Sequence, residues 1–412
     1  MNPPLPDSPL PLPPLSAPAL DPLPPWPLPA GVRSRQLPGL NGLDVHLLEA
    51  GHAVPGAPAL LLLHGFPELS FSWRAVMPAL AAAGYHVIAP DLRGYGRTTG
   101  WSPLYESDLA PFRTINLVRD ALGLVRALGH TQVAAVVGHD FGAPLAAWCA
   151  SLRPDVFHRV VMMSAPFAGP PALPATGAPA VPATGAPAVP DSGEPALPAL
   201  TDLPAALAAL PRPRKHYQWH FATPEAHADL LHAPQGVHDL LRAYYHVKSA
   251  DWPGNRPQPL RAATADELAR LPTYYVMDLH LGMAATVAAQ MPSAAQVAAC
   301  GWLPDAALRV YSQAFARTGF QGGLNWYRSQ LDHAQQAELQ VFAGRRIEVP
   351  ALYLAGRADW GSHQRPGALQ AMQSTACAHL CGLHFIDGAG HWVQQEQPAA
   401  VVHRLLDFLR DS

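Results

Sequence analysis

The sequence predicts an α/β fold: a mostly parallel central sheet, helices on both of its faces, and an inserted helical lid domain. Three patterns carry that expectation. Short apolar runs of strand length recur, such as ALLLL at 59–63. Segments of helical spacing lie between them and stop at glycine, as at Gly84 and Gly129. The alternation then breaks, a helical pattern rich in Tyr, Trp and His runs from about 216 to 340, and the alternation resumes at Val349. Strands alternating with helix-length segments imply parallel pairing, because each crossover needs room for a helix.

In order, residues 59–63 contain no polar side chain and read as a strand buried on both faces. Residues 72–83 read as a helix, and 86–90 as the next strand, ending at Asp91. Residues 116–128 have helical spacing, 132–137 form a strand, 141–151 a helix and 159–164 a strand. After the helical stretch, 350–355 is a strand, 366–377 a helix, 383–386 a strand and 399–410 a final amphipathic helix.

Composition sets the organisation. The chain has 412 residues, 49% hydrophobic and 14% charged, with a formal net charge of -3. That balance argues against nucleic acid or an anionic membrane as partner. Only two of the 27 basic residues are lysine, which with the high Ala and Pro content reads as a compositional bias rather than a binding device. Of 47 prolines, 13 fall in residues 1–30 and 12 in 170–213. Residues 1–30 are therefore expected to be a disordered, polyproline-like tail. Residues 168–212, which repeat PATGAPAV at 174–181 and 182–189, are expected to be a low-complexity insertion, since the repeat has no aromatic residue with which to build a core. The core then spans 31–167 and 346–412, with the lid at 213–345. Four cysteines are too few for a disulfide framework. No basic residue precedes Arg33 and no apolar run is long enough to span a bilayer, so a cytoplasmic protein is expected.

Four motifs bear chemistry. Gly138-His139-Asp140-Phe141-Gly142 lies between a strand and a helix. Small residues flanking the centre allow a tight turn that lifts the middle side chain into the open. Here that residue is Asp, and a helix N-terminus beneath it would keep the carboxylate ionised; a structural turn is the competing reading. Gly388-Ala389-Gly390-His391-Trp392 follows the last strand and offers a histidine. Asp359, in a loop after a strand, can orient that ring, with Asp387 as competitor. His64-Gly65-Phe66-Pro67-Glu68 follows a strand, and its turn would aim the Phe66 N–H to form an oxyanion hole with that of Phe141. The order nucleophile, acid, histidine is that of α/β-hydrolases.

The stretches HGFPELSFSWR (64–74), DLRGYGRTTG (91–100), GHDFGAP (138–144), SAPF (164–167), GLNWYR (323–328) and GAGHWVQQEQP (388–398) occur in this order. On them the chain resembles the α/β-hydrolase-fold epoxide hydrolases, close to the soluble type. The resemblance implies two lid tyrosines that hold the epoxide oxygen. They fall at Tyr217 and Tyr327, with Tyr274 and Tyr275 also in the lid. It implies attack by Asp140 to form an alkyl ester, then hydrolysis by water activated by His391 and Asp359, without cofactor or metal. The product is a vicinal diol. The lid aromatics imply an apolar epoxide as substrate, with Trp219, Trp326 and Trp392 lining its pocket. A monomer or a homodimer is expected.

Two other functions compete. Haloalkane and haloacid dehalogenases share the Asp and His, but typically hold halide with a Trp or Arg beside the nucleophile, where this chain has Phe141. A non-catalytic binding homologue would have a damaged triad. A zinc site at Cys377, His379, Cys381 and His384 is only weakly suggested by its spacing.

Overall fold

A hairpin opens the sheet: β1 (Val32–Leu40) and β2 (Leu43–Ala50) turn at Asn41-Gly42, both with positive φ, the conformation that a two-residue turn of matching twist requires. The computed structural model describes residues 24–173 and 203–411; residues 1–23 and the octamer repeat lie outside them. β3 (Ala59–Leu63), β4 (His86–Pro90), β5 (Ala135–His139) and β6 (Val160–Met163) follow. β7 (Arg214–His216) and β8 (Val276–Asp278) form a separate antiparallel pair. β9 (Ala351–Gly356) and β10 (Leu380–Ile386) complete the main sheet.

The eight-stranded order is β1-β2-β4-β3-β5-β6-β9-β10. The first two pairings are antiparallel and the remaining five parallel. β3 and β5 sit at the centre, and every residue of each is buried. The register pairs Leu63 with Gly138, His139 with Met163 and Met163 with Leu354. The carboxyl ends of β3, β5, β6 and β9 therefore finish side by side, the edge at which open parallel sheets place ligands.

Helices α1 (Met77–Ala82), α2 (Thr114–Ala127) and α3 (Gly142–Leu152) make the early crossovers. α2 buries Leu117, Val118, Ala121, Leu124 and Val125, a single stripe of helical period. Between β6 and β9 lie α4 (Leu203–Ala208), α5 (Tyr217–Phe221), α6 (Glu225–Leu231), α7 (Gly236–Lys248) and further helices, including Asp305–Thr318 and Gln321–Gln330.

Several expectations need correction. The tail does not stay clear of the fold over its whole length: Trp26 is buried, its ring edge-on to His46 and Phe71 at 4.8 and 5.5 Å. An apolar aromatic near a sheet edge docks despite its proline neighbours. The low-complexity segment ends earlier than 212, since α4 buries Leu207. β1 was not foreseen, because an edge strand with exposed polar residues shows no clean alternation. β7 and β8, at three residues each, are too short for a period to show. The single helix at 366–377 is an α-turn, Ala368–Ala371, continued by a π-helical turn, Met372–Ala376. The helix at 72–83 is a 3-10 turn, Ser70–Trp73, followed by α1.

Candidate active site

Asp140 sits on the turn between β5 and α3 with φ at 52°, in the left-handed region. Its neighbours must be glycine. A Cβ on Gly138 would lie 1.8 Å from the Gly142 carbonyl oxygen, and one on Gly142 would lie 2.2 Å from that of Leu63. Gly65 passes so close that its Cβ would meet the Asp140 side chain at 2.3 Å. The fold thus presses the elbow and the β3 loop together, and only glycine fits.

The carboxylate is held at both oxygens. Oδ1 accepts from the backbone N–H of Phe66 at 2.9 Å, and Oδ2 lies 3.2 Å from Nε2 of His391. The N–H of Phe141, next in the chain, belongs to the N-terminus of α3. On the far side of the ring, Nδ1 of His391 lies 3.1 Å from Oδ1 of Asp359, which also accepts from Gly361 N–H at 2.7 Å. Asp387 is 80% exposed and pairs with Arg357, so it does not touch His391.

Charge follows from this geometry. Burial alone would raise the Asp140 carboxyl, but the hydrogen bond and charge of His391, then Lys248 and His139, hold it well below the carboxylate range. Asp359 is lowered too: burial raises it, and His391 with the Gly361 N–H outweighs that. For His391, burial and the Lys248 charge push down, while Asp359 and Asp140 push up and prevail.

The two lid tyrosines meet here. Tyr217 is on α5 and Tyr327 on the helix Gln321–Gln330; their rings are 5.8 Å apart. Tyr327 packs edge-on against Phe141 at 4.5 Å and Phe66 at 5.4 Å, directly over the elbow. Burial and the Asp140 charge raise both phenols, so they stay protonated. Tyr217 OH donates to Gln364 Oε1 at 3.4 Å. Tyr275 flanks Tyr217 at 5.3 Å, whereas Tyr274 OH turns away to donate to Asn255 Oδ1 at 2.6 Å.

The three tryptophans occupy different places. Trp326 packs on Phe141 at 5.6 Å and donates to the Arg93 carbonyl. Trp392 is fully buried, with its ring 4.8 Å from His391 and its N–H on the Tyr245 carbonyl. Trp219 lies further out and packs on His216. Among the described residues no group of three His, Cys, Asp or Glu could hold a metal ion.

Sequence reasoning missed the groups that hold the His391 loop. The His391 carbonyl accepts from His139 Nε2 at 2.6 Å and Ser164 Oγ at 3.2 Å, and its N–H donates to the Lys248 carbonyl at 2.8 Å. His139 Nδ1 lies 2.7 Å from Glu68 Oε2. Glu396 accepts from the N–H groups of Gly390, Trp392 and Ala250; burial, only partly offset by these bonds, pushes its carboxyl up to about 8. Only the Glu of GHWVQQEQP hinted at this: two of its partners lie in its own loop and the third, Ala250, comes from the lid.

Comparison with known proteins identifies the family. Residues 58–214 match the family model described as alpha/beta hydrolase fold. Epoxide hydrolase A of Mycobacterium tuberculosis is 33% identical over 385 residues, covering 92% of this chain and 98% of that protein. The chain belongs to the epoxide hydrolase family. Among other family members, an epoxide hydrolase of Caballeronia sordidicola is 29% identical over 90% of this chain and 92% of its own. The solved epoxide hydrolase from an endophytic Streptomyces superposes with a TM-score of 0.70 at 29% identity, over 93% of this chain and 96% of that one. Potato epoxide hydrolase I gives 0.67 at 27% identity, over 92% and 100%. The likeness extends through the lid, as the resemblance of the six motifs implies.

Proposed function

We propose that this protein hydrolyses an epoxide to a vicinal diol through an ester on Asp140. The observation that carries the reading is a carboxylate nucleophile gripped by Phe66 N–H and His391, beneath two neutral phenols. Asp140 attacks an epoxide carbon from behind, the C–O bond breaks, and Tyr217 and Tyr327 donate to the departing oxygen. A carboxylate needs no base for this step. His391, oriented by Asp359, then takes a proton from water, and the hydroxide adds to the ester carbonyl of Asp140. The N–H groups of Phe66 and Phe141 hold the oxyanion until the diol leaves and the carboxylate reforms.

Residues 213–345 act as the lid over the two core parts, 31–167 and 346–412. Phe66, Phe141, Phe221 and Trp326 surround Tyr327 and the elbow, which suits an apolar epoxide; of the three tryptophans only Trp326 joins this cluster. No described helix is long and apolar enough to cross a membrane. A cytoplasmic location and a monomeric or homodimeric state belong to the same proposal. Phe141 beside the nucleophile, where dehalogenases hold halide, argues against dehalogenation.

The test is to supply purified enzyme with aryl and alkyl epoxides and haloalkanes, and to measure diol and halide. Diol alone is expected. In ¹⁸O-water a single turnover should label the Asp140 carboxylate rather than the diol. Halide release without diol would overturn the reading.

A further inference from the structure

We infer that Lys248 is a positioning residue for ester hydrolysis: its ammonium, carried by the lid beside the His391 loop, favours the neutral, proton-accepting form of His391 once Asp140 is esterified. The inference rests on the epoxide hydrolase reading above.

The sequence gives the first reason. Cations are written as arginine almost throughout, with only Lys215 and Lys248 as lysines. Lys248 ends α7 and is 3% exposed. Among the described residues its Nζ has neither a hydrogen bond nor a carboxylate in contact. Instead it lies over three aromatic faces, Tyr275 at 5.1 Å, Tyr244 at 5.3 Å and Trp392 at 5.5 Å. The third ring is the one that packs edge-on against His391.

The second reason is that the cage cannot drift away from the histidine. The Lys248 carbonyl accepts the His391 N–H. Gly390 packs so tightly on this segment that a Cβ would fall 2.5 Å from the Lys248 carbonyl oxygen. Glu396 then ties Ala250 of the lid to Gly390 and Trp392, one on each side of His391. Hydrogen bonds thus join lid and catalytic loop here.

The charges facing His391 can be enumerated. Asp140 lies at Nε2 and Asp359 at Nδ1; the His139 ring is 5.0 Å away with Glu68 behind it; Lys248 comes from the lid, and Glu396 from the helix Val393–Glu396. The carboxylates favour the imidazolium, which cannot act as a base. Lys248 opposes them; burial lowers its own amine, and Asp140, Asp359 and Glu68 draw it back toward the charged form. Esterification of Asp140 removes one of the two directly touching negative charges. Asp359 alone then faces the Lys248 ammonium, and the balance swings to neutral imidazole at the step that needs it.

Lys248→Met tests this, because it deletes the charge while leaving the backbone carbonyl on His391. The readout is decay of the alkyl-enzyme in single turnovers from pH 5 to 9. Without the ammonium the histidine pKa rises, so the acidic limb should move up by about one pH unit. Below the limb the decay rate should fall about tenfold and the ester should accumulate; above it the rates should converge within about threefold. Lys248→Gln is the second neutral variant, and Lys248→Arg, which keeps the charge, should leave the limb near its wild-type position. A limb that does not move in a folded neutral variant, or a rate lowered equally at every pH, would overturn the assignment. Failure of the hydrolase reading is distinguishable: wild type would then form neither diol nor ester.

Discussion

Replacing His391 with glutamine should separate the two halves of the reaction. In the first half His391 only hydrogen-bonds Asp140, at 3.2 Å, and the Phe66 N–H remains on the other oxygen at 2.9 Å. Glutamine is itself a donor, so ester formation should slow by less than the roughly 10–150-fold that losing one hydrogen bond to a charged group would cost. In the second half the loss is that of a general base, about 10²–10⁴-fold. At 1.36 kcal/mol per factor of ten this adds about 3–5 kcal/mol to the hydrolysis barrier. Asp359, fully desolvated and left with Gly361 N–H as its donor, cannot substitute, since it does not reach the ester. The ester should therefore become the resting state. Intact mass should rise by the mass of one epoxide per chain, peptide mapping should place it on Asp140, and one equivalent of epoxide should be consumed with almost no diol released. Continued turnover at the wild-type rate would refute the assignment of His391. An adduct on any other residue would refute that of Asp140.

The remaining predictions concern the lid, acid stability and the tail. Tyr217→Phe and Tyr327→Phe should each slow ester formation by about 10²-fold, the loss of one donor to a developing oxyanion, which burst rates in the His391→Gln background measure, and leave ester decay in the single variants unchanged. Both phenols are raised by burial, so ester formation should show no alkaline loss up to about pH 10. Asp91 is buried on His46, Ser70 and Arg97 N–H, and its carboxyl is lowered to about 2: burial opposes the shift, and the charge and hydrogen bond of His46 prevail. A depressed folded pKa gives stability that is present above the unfolded value of 3.8 and lost as pH falls toward 2, here about 2 kcal/mol. Asp91→Asn should flatten that part of the stability curve in urea titrations. Trp26→Ala should cost about 2–4 kcal/mol of stability by emptying its contact with His46 and Phe71, with kcat nearly unchanged; an unaltered Tm would show that this contact adds nothing.

Much of the site is legible locally. Glycines stand two before and two after Asp140 because a Cβ on Gly138 or Gly142 would collide with the backbone of Gly142 or Leu63. That requirement is written in five consecutive residues. The order of apolar runs and glycine stops gives the parallel core for the same reason, since period and turn chemistry act over short stretches. Tyr327 is marked by its Asn-Trp-Tyr-Arg setting. Tyr217 was one of several lid tyrosines until packing set it against Tyr327 and sent Tyr274 to Asn255. The choice of Asp359 over Asp387 also needed the fold, because both lie near His391 in plausible loops and only one is turned inward.

The sequence by itself determined the α/β alternation, the elbow carboxylate, the histidine loop and the helical character of most of the lid, because each is specified by neighbours within a few residues. Tertiary structure alone decided what surrounds them. The cage of Lys248 is assembled from Tyr244, Tyr275 and Trp392, and Glu396 joins residues 250, 390 and 392. Trp26 finds its pocket on β2 and on the turn that carries Phe71. Such contacts join distant segments with no fixed spacing between them, so no period or motif announces them. They form only once the chain has closed around its core.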